Sequence, residues 1–418
     1  MEITNARLIL PDAIERGSLS IGNGRIQEIS KDATHAAKSI GERMDLRGGF
    51  LAPGFVDLHI HGALGRDTME GRLDAFREIT DFHLKGGTTS LTLTTLSASQ
   101  TDIFTTLDAI APIHNQSLGG SRIVGVHVEG PFINKARAGA QNPDYCRNPS
   151  AKEWGPILKY GALITQMTLA PELPRANVLI KALRKNGSIA SAGHTDATEK
   201  DLFPALKAGL NQSTHTFNAM SGLVKKGPYR MAGMLEFALA YDDISCELIA
   251  DGQHVPPVLM RMLFNAKPRD QVVIITDATK GAGLKPGTQF ELCGIKAKVT
   301  PTTAEVLDGR GLAGSTLTMI RAVQTAVEQA NVPLVDAVLM ATLNPARQLG
   351  RDNEFGSLEA GKRARQYLLD LGAVSVVRAA REREPLEVAR GADAARSACA
   401  TRSAVTPQSL RSHSAVNL

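Results

Sequence analysis

Between Pro53 and Asp277 the chain repeats one unit: a short β-rich run closing on or near a polar residue, then a stretch with helical periodicity. The eight runs are Phe55–His61, Thr89–Thr94, Ile123–Glu129, Leu163–Ala170, Ser188–His194, Gln212–His215, Ser245–Asp251 and Val272–Asp277. Helical stretches such as Leu73–Lys85, Ala176–Lys185 and Val255–Phe264 lie between them. Strands separated by helices pair in parallel, because a parallel pair needs a crossover about as long as a helix. Eight such units are the number that closes a (β/α)8 barrel. The spacing therefore predicts an α/β fold, a TIM barrel over residues 53–350.

The flanks read differently. At 418 residues the chain is too long for one hydrophobic core, so a satellite domain is expected. Residues 1–52 show short strands, with Asn23-Gly24 as a hairpin signal, but carry too little apolar surface to stand alone. They predict a small β-sandwich domain completed by strands from residues 351–375, where the alternation is atypical. From Val376 the chain turns rich in Ala, Arg and Ser, and 376–418 is expected to be a disordered basic tail. Seven arginines against four acids put +3 of the net +5 in that tail, leaving +2 for the rest. No basic stripe marks a folded part, and aromatics at 4% offer few stacking platforms, so nucleic acid is not an expected partner. Cys146, Cys246, Cys293 and Cys399 show no CxxC pairing, which speaks against a thiolate zinc site. No run reaches membrane-spanning length and the N-terminus lacks a basic leader pattern; a cytoplasmic enzyme is expected.

In a barrel the C-terminal strand ends converge on one mouth, where active sites lie. His61, Glu129, His194, His215, Asp251 and Asp277 all fall at or just past such ends. His59 and His61 are two residues apart on a strand and project to the same face, a common chelating pair. Glu129 closes an apolar run, where a buried carboxylate needs a partner such as a metal. His194 and His215 supply neutral nitrogens. Each histidine alone reads equally well as a hydrogen-bonded core residue; the set points to one or two divalent ions, zinc, iron or similar. Asp277, ending the eighth run, reads as a general acid/base beside the cation. His127 reads as packed and hydrogen-bonded, and His35, His83, His114 and His413 as structural or solvated.

The segments PGFVDLHIHG, GVHVEGPF, SAGHTDA, THTFNAMSGL, IADGQHV, ITDAT and LAGSTLTM occur in the order seen in N-acetylglucosamine-6-phosphate deacetylases of the amidohydrolase superfamily. The chain resembles that family from about Pro53 to Lys362. The resemblance implies Glu129, His194 and His215 as ligands of the main metal, and His59 and His61 as completing a second site. It implies Asp277 as the acid/base, Asn218, Ala219 and His254 at the sugar phosphate, and Leu312 beside the acetyl group. The implied reaction is attack of metal-activated water on the acetyl carbonyl, releasing acetate and glucosamine 6-phosphate. A homodimer is likewise implied.

Two departures stand out. Lys226-Gly227-Pro228-Tyr229 replaces the family's Arg-Glu-Pro-Gly, leaving Lys226 as a point charge for phosphate, and Gln141 stands where many members carry histidine. Both bear on the sugar, so N-acetylgalactosamine 6-phosphate or the substrate of another amidohydrolase is the alternative, and an inactive scaffold of the same fold the non-enzyme alternative. Past GSLEAGKRA the sequence leaves the family's pattern, as a frameshifted or altered terminus would.

Overall fold

The structure is a computed structural model. It describes residues 1–31 and 42–364, and the backbone of three further strands, Gln366–Asp370, Ser375–Arg378 and Val388–Arg390. Among the described residues no helix is long and apolar enough to cross a membrane.

The small domain is one pairing network of eight strands. Glu2–Ile9 pairs antiparallel with Ile14–Gly22, which turns back into Arg25–Ser30. That turn is Asn23-Gly24, both at positive φ (51° and 68°), as a tight hairpin whose twist matches its strands requires. A bulge between Ile3 and Ala6 lets the first half of Glu2–Ile9 pair with Arg43–Asp45 and the second half with Phe50–Pro53. The sheet so bent closes over Ile3, Leu8, Leu19, Ile26, Leu51 and Leu358.

Its far edge departs from expectation only beyond residue 375. Gln366–Asp370 pairs antiparallel with Phe50–Pro53, and Ser375–Arg378 and Val388–Arg390 extend the same sheet, so part of the segment read as a disordered tail is strand. Phe50–Pro53 has an edge of backbone donors and acceptors to satisfy, and Gln366–Asp370 pairs with it. Residues 379–387 and 391–418, the rest of the predicted tail, lie outside the described residues, as do His35 and His413.

After a single glycine the barrel begins. Its strands are β1 (Phe55–Ile60), β2 (Thr88–Thr94), β3 (Arg122–Glu129), β4 (Ile164–Leu169), β5 (Ile189–Ala192), β6 (Gln212–Ser213), β7 (Ser245–Ile249) and β8 (Val272–Ile275). Each matches a predicted run within a few residues and pairs in parallel with its sequence neighbour. Helices cover the outside, so the outward side chains join one core containing Val56, Leu93, Val126, Leu169, Leu248 and Ile274.

Closure lies just past β8. Asp277 N–H donates to His59 O at 2.9 Å and His61 N–H donates to Ala278 O at 2.8 Å, with Ile60 and Ala278 paired in parallel. Buried Asp57 fastens the seam: its carboxylate accepts from the Thr276 hydroxyl at 2.6 Å and from His59 N–H at 3.2 Å. The stitches that close the barrel thus also place His59, His61 and Asp277. Beyond them a three-stranded sheet (Gln289–Leu292, Ile295–Val299, Ala304–Val306) packs Leu292, Ala297 and Val306 against Leu96.

His83, on the helix Leu73–Lys85, holds the loop that leaves β1, its Nε2–H donating to Gly62 O at 3.1 Å. Burial pushes its pKa down to about 4. An unfolded histidine titrates near ~6.5, so the unfolded chain takes up this proton first. The stability held by neutral His83 is fully present above ~6.5 and is lost as pH falls toward about 4, up to roughly 3 kcal/mol in all. Urea unfolding at pH 7 and pH 4.5 should therefore show a smaller loss in His83→Gln than in the parent chain; equal losses refute this.

Candidate metal centre

Strand geometry delivers the site residues to one place. His59 on β1 and His61 just past its end are set two residues apart, and β3 ends on Glu129. His194, His215 and Asp277 each come two residues past the end of β5, β6 or β8. All three have left-handed backbone, at φ 47°, 32° and 48°. L-residues avoid this region, and its use just past a strand turns the side chain back over the mouth.

The groups converge on one carboxylate. Glu129 Oε1 lies 3.1 Å from His194 Nε2, 3.1 Å from His215 Nε2 and 3.6 Å from His59 Nε2, and Oε2 lies 3.1 Å from His61 Nε2. Nε2 of His59 is 3.2 Å from that of His61, and those of His194 and His215 are 3.1 Å apart. Two trios result, His59/His61/Glu129 and Glu129/His194/His215, all buried, with Glu129 in both.

Hydrogen-bond accounting tests whether these groups suit a cation. His194 Nδ1 lies 2.8 Å from Arg137 O, and a carbonyl only accepts, so Nδ1 carries the proton. In the neutral tautomer this fixes, Nε2 is a lone pair aimed at a carboxylate oxygen. His59 repeats the pattern: Nδ1 donates to Glu247 Oε2 at 3.2 Å while Nε2 faces Glu129, Asp277 and His61. Acceptors facing acceptors in a dry site repel unless positive charge lies between them. Nitrogen and carboxylate donors in such a set suit zinc and its neighbours. Proton affinities report the same demand. Burial opposes charge on His59 and His61, yet Glu129 and Asp277 outweigh it, raising His59 well above the usual value and His61 to about 9. Burial likewise opposes ionisation of Glu129 and Asp277, but the histidines hold both carboxyls below their usual range.

Above the cluster is a cavity of about 330 Å³ lined by His61, Glu129, His194, His215 and Asp277 and by Gln141, Asn218, Ala219, His254 and Leu312. The volume is within the ~300–1,000 Å³ of small-molecule sites. Asp251 holds His254 through the ring at 2.7 Å and through the backbone N–H at 2.8 Å. Gln141 lines the cavity while orienting the carboxylate, donating from Nε2 to Glu129 Oε2 at 2.6 Å and accepting from Ser97 N–H at 2.7 Å. Lys226 lies apart from these residues. It is exposed on the hairpin Val224–Lys226/Tyr229–Met231 and does not line the cavity. His127 donates or accepts at Thr168 Oγ1, 2.7 Å away, and stays outside both trios.

Residues 50–393 match the profile of the amidohydrolase family. The N-acetylglucosamine-6-phosphate deacetylase of Bacillus subtilis is 35% identical over 361 residues, covering 84% of this chain and 88% of its own. This chain belongs to the amidohydrolase family. An N-acetylgalactosamine-6-phosphate deacetylase of Escherichia coli is 33% identical over 323 residues, 77% of this chain and 84% of its own. Among solved structures, a variant of the Mycobacterium smegmatis N-acetyl-D-glucosamine-6-phosphate deacetylase in complex with that sugar phosphate superposes with a TM-score of 0.81. It is 29% identical and covers 90% of this chain and 97% of its own.

Within this amidohydrolase, sequence reasoning passed over Glu247, Gln166, Arg137 and Arg310. Arg137 and Arg310 line the cavity from loops whose approach no local pattern announces. Glu247 carried a signal: an acid in the middle of the otherwise apolar run that became β7. Zinc counted by plasma mass spectrometry after dialysis should fall at both trios in Glu129→Ala, the shared carboxylate, but at one in His59→Ala. Unchanged content in Glu129→Ala sinks the shared-carboxylate arrangement.

Proposed function

We propose that this chain hydrolyses the acetamide of N-acetylglucosamine 6-phosphate, yielding acetate and glucosamine 6-phosphate. The observation that carries the reading is the place of Asp277. Its Oδ1 lies 3.5 Å from His59 Nε2 and 3.3 Å from His61 Nε2, and the residue borders the cavity. A carboxylate is thus held beside a cation-demanding cluster and open to a bound amide. A divalent ion held by Glu129, His194 and His215, with a second at His59 and His61, would supply Lewis acidity to the carbonyl and acidify a water toward pH ~7. Asp277 takes the proton of the attacking water and passes it to the departing nitrogen. Its lowered proton affinity keeps it ionised and ready at neutral pH. Asn218, the Ala219 backbone and His254 receive the phosphate end, and Leu312 packs beside the acetyl methyl.

The galactosamine epimer is a second reading, supported by the 33% identical relative that carries that name. The two sugars differ only in the configuration at one ring hydroxyl, so the same machinery serves either.

Acetate release from each epimer by zinc-loaded protein decides between them. Asp277→Asn should lower the rate at least ~100-fold, the contribution of a positioned acid/base. A folded, zinc-bound chain that leaves both epimers intact defeats the proposal. His254→Ala should raise KM for the phosphorylated sugar and leave the slow turnover of unphosphorylated N-acetylglucosamine as it was; equal effects on both would remove His254 from phosphate binding.

A further inference from the structure

Glu247 lies in the middle of β7 with no exposed surface and belongs to neither trio. An unpartnered carboxylate so placed would be far too costly to keep, so its partners identify its work. Oε2 accepts from His59 Nδ1–H at 3.2 Å and from the His215 backbone N–H at 3.1 Å. Oε1 accepts from Gln166 Nε2 at 2.7 Å. One oxygen thus touches a residue of each trio from below, on the side away from the cavity.

We propose that Glu247 is a positioning residue of the metal centre: it fixes His59 in the tautomer protonated at Nδ1, aims Nε2 at the ion and ties that ring to the His215 loop. The inference rests on the metal-centre reading above. A carboxylate behind a ligating imidazole raises its basicity and locks its orientation, and losing such a partner typically weakens metal binding ~10- to 100-fold. The effect should be larger at the His59 trio. There Glu247 acts on the ring itself, whereas the His215 loop keeps a second tie, Thr216 N–H to Glu247 O at 2.8 Å, that needs no side chain.

The neighbouring amide supplies a conservative control. Gln166 Oε1 is buried without a hydrogen-bond partner. In Glu247→Gln the Gln166 amide, turned over, presents that oxygen to the new NH2 group, and the new amide oxygen still faces His59 and His215, retaining the geometry and losing the charge. Glu247→Met fills the space and offers no acceptor.

The test is zinc alone, titrated in competition with a chromophoric chelator, on the full chain. The parent, E247Q, E247M, His59→Ala and the His59→Ala/E247M double variant are compared, with thermal melts confirming folding. E247M should weaken one zinc equivalent about 10- to 100-fold, and E247Q should weaken it less. In the His59→Ala background, where that equivalent is already gone, E247M should leave the remaining affinity unchanged. Parent-like affinities in E247M, or equal weakening in both backgrounds, overturn the proposal. Should E247M fail to fold, the same cycle run with E247Q decides by the same criteria. A parent chain that binds no zinc removes the metal-centre reading itself, a result distinct from either.

Discussion

The Glu129 carboxylate faces four imidazole nitrogens within 3.6 Å, almost without solvent, and the mouth of the barrel is arranged around it. A buried carboxylate is stable only against positive charge or donated hydrogen bonds. Gln141 donates one such bond, but the rings on the other side are committed elsewhere: His194 to Arg137 O and His59 to Glu247. Their Nε2 atoms point inward at the carboxylate, where positive charge must lie between. The site is therefore organised to be completed by cations, and the seam that closes the barrel is organised to hold its ligands.

That seam explains why catalysis and folding are hard to separate here. Asp57, Thr276 and the backbone of His59, Ala278 and Asp277 form the hydrogen bonds that join β8 to β1. The same bonds set the distance from Asp277 to the histidine pair. His194, His215 and Asp277 sit in left-handed backbone, which costs of order 1–2 kcal/mol each for residues with a Cβ. Neighbouring bonds offset the strain: Asn134 N–H to His194 O at 2.9 Å and Ser315 N–H to Asp277 O at 2.8 Å. Strain of this kind persists where the surrounding scaffold over-determines the conformation, and here the scaffold is the barrel wall.

The barrel interior is also more polar than a sequence of branched apolar runs implies. Beneath the cluster, Gln166, Thr168, Ser191, Thr214 and Glu247 form a hydrogen-bonded layer, with His127 joined to it through Thr168. Alternation on strands buried on both faces conceals this, because inward polar and outward apolar residues share one short run. The run that became β7 was recognised as a strand from its apolar members, and Glu247 within it was overlooked for the same reason.

Much was legible beforehand because it depends on local periodicity. Eight β runs, the helices between them and the strand-end placement of His61, Glu129, His194, His215 and Asp277 follow from patterns a few residues long. The hairpin at Asn23-Gly24 follows from the backbone freedom of those two residues. Other features required distant segments to meet. That Glu129 is common to both trios, that Gln141 serves the carboxylate, and that Lys226 stands off the cavity are consequences of packing. Gln366–Asp370 joined the small sheet at the open edge of Phe50–Pro53. The sequence by itself determined which residues reach the mouth of the barrel, since strand period and strand count are local properties. Tertiary structure alone decided which of them gather around Glu129 and which hold the others in place, since that depends on distances across the barrel that no local pattern encodes.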